Sequence, residues 1–389
     1  MKYLVTDNVL TISLEGRIDS NNASLVESEL FEILKNEHKE LVLDFDNVNY
    51  VSSAGLRVIL KVKKAENSLK LINVSSEVYE IFEMTGFTEM IDIEKAYRKL
   101  SIDGCEIIGQ GATGIVYRLN PDTIIKVYIN PESFDDIKRE RELARRAFIM
   151  GIPTAIPYDV VKVGKNYGSV FELLNASSFS QLIANHEKPV DEVIVMFAEL
   201  LKKIHSTVVN TSELPSAKQE VLKWVSDLKP YLSSYHYDKV YNLINNVRDD
   251  HNLLHGDYHT KNVMYQNGEA LLIDMDTLSY GNPIFEFGAM YNAFLGFHFL
   301  DANDAEPFLG IDKATSDKLF FDTLKLYFGT EDESFIADIL KKATLVGDVR
   351  LVRRVYHHMD IESPEGKRAL EHYKTEFENL IEELDSIEI

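Results

Sequence analysis

The chain of 389 residues holds one cysteine, Cys105, so no disulfide can form within it. A lone thiol suits a reducing compartment. Long apolar runs are missing too. None is long enough to cross a bilayer. The opening "MKYLVTDNVLTISLEG" alternates apolar and polar residues, unlike the continuous apolar block of a secretory leader. A cytoplasmic location is expected. Basic residues are in short supply: 41 Lys and Arg face 63 Asp and Glu, for a formal net charge of −22. Such a field repels phosphate backbones and anionic headgroups, so neither nucleic acid nor a membrane is expected as a partner. It attracts cations, whether Mg²⁺ or a positively charged small molecule. What is present is ordinary for a globular protein, and the length calls for more than one core.

The first hundred residues change period repeatedly. "VLTISLEG" alternates like a half-buried strand, and "SNNASLVESELFEILKNE" follows with helical spacing through Leu25, Leu30, Ile33 and Leu34. "ELVLDFDNV" alternates again, with Leu41, Leu43 and Phe45 on one face. "SSAGLRVILKVKKA" returns to helical spacing through Leu56, Ile59 and Leu60. "LKLINV" is a strand, and "SSEVYEIFEMTG" a helix that stops at Gly86. Strands alternating with helices imply an α/β layer, and no catalytic cluster appears here. Ser52 or Ser53 falls where a strand gives way to a helix. The plain explanation is a helix cap, since a serine hydroxyl satisfies an orphan backbone N–H. A phosphate at the same place would meet the positive end of the helix.

"GRIDSNNA", "LVLDFDNVNYVSSAGLRVIL" and "VYEIFEMTGF" together resemble the STAS domain of bacterial anti-sigma-factor antagonists, over residues 1–100. The resemblance implies a small βα domain, a protein partner for it, and a phosphorylatable serine at Ser53. Ser52 stands where phosphorylated members of that family usually carry aspartate.

Beyond "EKAYRKLSIDG" the character changes. "IIGQGATGIVYRL" spaces glycines at 109, 111 and 114. In a dinucleotide fold these glycines would open a helix. Here β-branched and aromatic residues follow, then "NPDT", then the strand "IIKVY". The pattern is a hairpin, either an ordinary one or a flap whose amides approach phosphates. Lys126 sits within that second strand, where its charge needs matching by phosphate oxygens or a carboxylate. The helix "FDDIKRERELARRAFIMG" offers Glu140 and Glu142. "VVKVGKNYGSVFELL" is another hairpin, and "DEVIVMFAELLKKIHS" begins a mostly helical part, opening on Asp191 as a cap. A cleft between strand-rich and helix-rich parts is the natural ligand site.

"HGDYHTKN", His255–Asn262, has three readings: a metal cluster, a catalytic loop, or a polar turn. Zinc at His255 and His259 would need a helix that Gly256 opposes, and no cysteine joins them. As a catalytic loop, Asp257 can orient a hydroxyl and accept its proton. Asn262 and Asp274, the latter closing the strand "ALLID", offer hard oxygens to Mg²⁺. A polar turn explains any one of these residues, but not the ordered set of flap, lysine, glutamate, Asp, Asn and Asp.

The set resembles the aminoglycoside/choline-kinase-like phosphotransferases, relatives of the protein kinases, over residues 101–389. The resemblance implies a bilobal fold, with a strand-rich lobe to about residue 175 and a helical lobe from about 176. The whole chain is then an α/β module followed by an α+β one. It further implies ATP and Mg²⁺ as cofactors, with Gly109, Gly111 and Gly114 over the phosphates. Lys126 would hold those phosphates, paired with Glu142. Asp257 becomes the base, Asn262 and Asp274 the metal ligands (Asp276 being an alternative), and "FELL" at Phe171–Leu174 the adenine-binding connection. Asn282 and Glu286 stand where the family often carries aspartates that support the loop. His255 and His259 are expected to orient the loop. The implied activity is phosphoryl transfer to a hydroxyl of a small molecule. The alternatives are a protein serine kinase acting on Ser53 or a partner, and a nucleotide-sensing interaction protein.

Overall fold

The computed structural model describes all residues except 7, 36–39, 111–113, 131–133 and 300–307, with backbone alone at 134–136 and 298–299. Gly111, one of the three glycines singled out above, lies outside the described residues. The chain divides into two compact units, Met1–Ser101 with Val160–Lys165, and Ile102–Asp159 with Asn166–Ile389.

The first unit is an α/β layer. Its elements are β1 (Lys2–Thr6), β2 (Val9–Ile18), α1 (Ala23–Ile33), β3 (Glu40–Val51), α2 (Ser53–Ala65), β4 (Lys70–Val74), α3 (Ser76–Met84) and β5 (Asp92–Lys95). The sheet runs β1-β2-β3-β4-β5, antiparallel at β1–β2 and parallel from β2 onward. Leu41, Leu43 and Phe45 are all fully buried, as their alternation requires. α2 presents Gly55, Val58, Ile59 and Val62 to the core, and Leu56 and Leu60 flank that face. On α1 the expected stripe is narrower than its leucines suggest. Leu30 is buried but Leu25 is 62% exposed, because a helix of this length buries one face and Leu25 lies off it.

Between β3 and α2, Ser52 is the cap. Its hydroxyl accepts from the amides of Ala54 at 3.2 Å and Gly55 at 3.4 Å. Ser53 is therefore free of capping duty and exposed on the first turn.

The second unit starts with β6 (Glu106–Gln110), β7 (Gly114–Asn120), β8 (Thr123–Tyr128), α4 (Phe134–Ile149), β9 (Pro157–Val163, of which Val160–Val163 fall in the first unit) and β10 (Asn166–Glu172). They form a sheet in the order β6-β7-β8-β10-β9, beside which α4 packs on β10. Gly114 is demanded by this packing: a Cβ there would sit 2.6 Å from the Val127 carbonyl oxygen on β8. Gly109, opposite Val116, has room for a side chain.

The rest is mostly helical: β11 (Ser177–Ser178), α5 (Phe179–Ala184), α6 (Val190–Ser206), α7 (Ala217–Asp227), α8 (Ser234–Asn245), β12 (Leu253–Leu254), β13 (Val263–Gln266), β14 (Glu269–Leu272), β15 (Ser279–Tyr280), α9 (Ile284–Phe294), α10 (Lys313–Phe328), α11 (Glu333–His358) and α12 (Pro364–Glu383). α6 buries Ile194, Phe197, Leu201 and Ile204, as its spacing predicts. Its cap position is Pro189, however, and Asp191 lies inside the first turn, where its charge meets the positive end of the helix. α9 is buried almost all round and is crossed by α11. These elements hold the segment between β12 and β13, where "HGDYHTKN" lies.

Candidate functional site

Lys126, midway along β8, pairs across the sheet with Val116 and Ser169. Its ammonium is bonded to Glu140 Oε1 at 2.9 Å and Asp274 Oδ1 at 3.1 Å. Burial works against the charge, but Asp274 and Glu140 outweigh it and raise the lysine's pKa. The other carboxylate oxygen of Glu140 accepts from the Tyr128 hydroxyl at 2.7 Å, and that hydroxyl lies 3.2 Å from Ser169 Oγ. Burial and then the negative Glu140 push the Tyr128 phenol up, so it stays a neutral donor.

The expected pairing of Lys126 with Glu142 is corrected by this geometry. Successive helical residues turn by about 100°, so positions two apart face nearly opposite ways. Glu140 shares the buried face of α4 with Ile137, Ala144 and Ala147. Glu142 instead bonds Arg146 at 3.1 Å and approaches Arg145 at 3.6 Å, as half-exposed helical pairs. The helical phase of the apolar residues is the signal that picks out Glu140.

Asp274 owes its position to the backbone. It follows β14 in the left-handed region, at φ 62°, and begins a 3₁₀ turn over Met275–Thr277. Aspartate tolerates this region better than most residues. Asp276, on that turn, is open to water yet has protein on its other sides. This enclosure, then the negative Asp274 and Glu140, pushes its pKa up to about 7.

The loop from His255 to Asn262 is held from several directions. Glu286 of α9, wholly buried, accepts from the His255 amide at 2.6 Å and the Gly256 amide at 2.9 Å. Gly256 has φ 82°, and a Cβ there would meet the Thr277 carbonyl oxygen at 2.5 Å, so no other residue fits. The Thr277 hydroxyl donates to the His255 carbonyl at 2.8 Å. His255 Nδ1 accepts from the Asp257 amide at 3.3 Å, which leaves Nε2 as the donor to the Ile273 carbonyl at 3.1 Å. It bridges two backbone segments, the orienting role expected of it.

His259 acts differently from that expectation. Its Nε2 approaches the Asp257 carboxylate itself, at 3.4 Å. Burial tends to raise the Asp257 pKa, but the bond to His259, its charge and that of Arg350 bring it down to about 2. Asn262 Nδ2 donates to the Asp257 carbonyl at 3.0 Å and approaches its Oδ2 at 3.3 Å. The amide nitrogen is thereby committed, and the oxygen is the atom left for a cation. Asn282, just before α9, donates to Asp250 at 2.7 Å and accepts from the Ile284 amide at 3.0 Å, a supporting role.

Two cavities lie in the second unit. One, of about 620 Å³, is lined by Tyr128 and Glu140, by Trp224 of α7, by Gly256 and Asp276, and by Arg350 of α11. The other, of about 550 Å³, lies along Leu173–Ser177 with Lys188 and Tyr265. Arg350, Tyr128 and Ser169 went unnoticed in the sequence because nothing local distinguishes them; only packing brings them to the site. Among the described residues, no group of three or more His, Cys, Asp and Glu is arranged to hold a metal ion.

The model of the phosphotransferase enzyme family matches residues 104–314, more than half of the chain. The chain belongs to that family. Residues 1–100 match the STAS domain, so this phosphotransferase-family protein carries a STAS module at its start. That module is 32% identical over 91 residues to the anti-sigma-B factor antagonist of Bacillus subtilis, covering 22% of this chain and 83% of the relative. It is 35% identical over 91 residues to BtrV of Bordetella bronchiseptica, described as a candidate anti-sigma factor antagonist, covering 22% and 78%. Among solved structures, the ADP-bound aminoglycoside phosphotransferase APH(2'')-Ib is 16% identical at a TM-score of 0.49, over 78% of this chain and 98% of the other. A choline/ethanolamine kinase family protein from Mesorhizobium loti is 14% identical at 0.46, over 72% and 91%.

Proposed function

We propose that the second unit transfers the γ-phosphoryl group of ATP to a hydroxyl of a small molecule, in the presence of Mg²⁺. The observation that carries this reading is the convergence of Lys126, Glu140 and Asp274 above a loop that supplies Asp257 and Asn262. Lys126 holds the phosphates and Glu140 holds Lys126, with Tyr128 fixing the glutamate. Gly109 and Gly114 border the flap over the phosphates. The cavity along Leu173–Ser177 receives the base. Asn262 and Asp274 would hold Mg²⁺: one amide oxygen and one carboxylate suit a hard cation that keeps several waters and leans on phosphates. When bound, Mg²⁺ supplies charge neutralisation of the phosphate oxygens.

Asp257, ionised at any ordinary pH, accepts the hydrogen bond of the incoming hydroxyl and sets its angle of attack. The His259 and Arg350 contacts limit its motion. Transfer of this kind rests on positioning and charge stabilisation more than on strong base chemistry, so a carboxylate with a low pKa suits it. Incubation with Mg·ATP and a panel of hydroxyl compounds, read as ADP release, tests the reading. Asp257→Asn should lower turnover by about 10²–10⁴-fold while ATP affinity changes little. Unchanged turnover in that variant sinks the assignment.

A second reading, protein serine phosphorylation, draws on the exposure of Ser53 beside a cap that does not need it. Mass spectrometry after incubation with Mg·ATP decides it: Ser53 left unmodified by an active chain removes this alternative.

A further inference from the structure

The chain carries a net charge of −22, yet a guanidinium, that of Arg350, lines its 620 Å³ cavity beside Asp257. Among the described residues, four carboxylates line this cavity, and three are committed. Glu140 accepts from Lys126 and Tyr128. Glu220 accepts from Lys223 at 3.1 Å. Glu286 is enclosed and accepts from the His255 and Gly256 amides. The fourth, Asp276, sits on the turn beside Asp274.

Arg350 is also part of the lining. Its Nη1 lies 3.9 Å from Asp257 Oδ1, too far for a hydrogen bond. An arginine serving only that carboxylate would close to a short, two-pronged contact. The guanidinium stands 6.0 Å from the centre of the Trp224 ring and its side chain is 38% exposed, so its donors open on the cavity. Arg139 contributes a second guanidinium to the lining.

We propose that Arg350 is a specificity-determining residue that binds an anionic group, carboxylate or phosphate, on the acceptor whose hydroxyl meets Asp257. The inference rests on the phosphotransferase reading above and narrows it: the acceptor is a hydroxylated anion, not the positively charged compound that the overall charge would favour. A planar guanidinium matches a carboxylate or phosphate with paired hydrogen bonds, and it cannot lose its charge. A cationic acceptor would meet Arg350 as a like charge.

The test uses the full chain. Trp224 is its only tryptophan and lines the cavity, so its emission reports occupancy whether or not turnover occurs. At constant ionic strength, the emission is titrated with D-glycerate and glycerol 3-phosphate, and with glycerol and ethanolamine. Either anion should bind at least about tenfold more tightly than glycerol or ethanolamine, the margin of one charge-assisted hydrogen bond. Arg350→Met should shrink the margin to about twofold or less, and Arg350→Lys should keep part of it. Circular dichroism establishes that both variants are folded, and if the methionine variant is not, Arg139→Gln with Arg350→Lys should narrow the margin stepwise. Equal or tighter binding of glycerol or ethanolamine overturns the proposal. So does an unchanged margin in the variants, or an emission that no compound alters. Anion binding at Trp224 without ADP release would sink the phosphotransferase reading and leave this site standing. ADP release with a cationic acceptor alone would do the reverse.

Discussion

Two polar stretches follow strands in this chain, "VSSAGL" after β3 and "HGDYHTKN" after β12, and the structure treats them differently. At the first, one hydroxyl, that of Ser52, satisfies the helix start, and Ser53 is left exposed. At the second, His255, His259, Thr260 and Asn262 are all buried, and partners come from Ile273 just after β14, the 3₁₀ turn and α9. A lone cap serves the local chain. A buried polar network reached by distant elements costs desolvation that only a fixed geometry justifies. The contrast marks the second stretch as the place where positions matter to a fraction of an ångström.

The sharpest way to break that contrast is to remove its buried anchor. Glu286→Ala leaves the buried His255 amide and the part-buried Gly256 amide without an acceptor and should cost about 2–5 kcal/mol, measured as a lower midpoint in urea unfolding. A loss under about 1 kcal/mol would mean that the loop holds itself.

Next comes the choice between two glutamates on α4. Glu140→Gln should cost about 1–3 kcal/mol and lower ATP affinity, because it removes the enclosed partner of Lys126. Glu142→Gln should lie within about 0.5 kcal/mol of wild type, as half-exposed helical pairs contribute little. The reverse ranking would restore Glu142 to the role that the family resemblance implied.

Asp276 sharpens the comparison through pH. Its folded pKa of about 7 lies above the ordinary 3.8, so the folded state binds the proton more tightly. The associated stability is fully present below pH 4 and is lost as pH rises toward 7. Asp276→Asn should therefore gain about 1 kcal/mol over wild type at pH 8, after allowance for solvent screening, and nothing at pH 4. Thermal melts at the two pH values check this; a gain that is equal at both removes the raised pKa as its cause.

The smallest effects belong to the first stretch. Ser52→Ala should cost about 1 kcal/mol as a lost cap, and Ser53→Ala no more than about 0.5 kcal/mol. Melting curves that rank Ser53 above Ser52 would show the cap to be misassigned.

Much was legible in the residues alone. Period changes located β2, β3, α2, β4 and α3 of the STAS module, and the hairpin that carries Lys126, because alternation and helical spacing are local properties. The candidate residues Lys126, Asp257, Asn262 and Asp274 were visible as polar residues in apolar or turn settings, and the family match at 104–314 agrees with the fold those signals implied. Leu25 was misread because an apolar residue on a short helix need not face the core.

What the sequence determined by itself was therefore the order of elements and the identity of the polar residues, since both follow from neighbours along the chain. The tertiary structure decided which of those residues meet. Glu140 displaced Glu142 because helical phase, not distance along the chain, sets what faces Lys126. Arg350 of α11 came beside Asp257 across more than ninety residues, a proximity that exists only once α9 and α11 have packed.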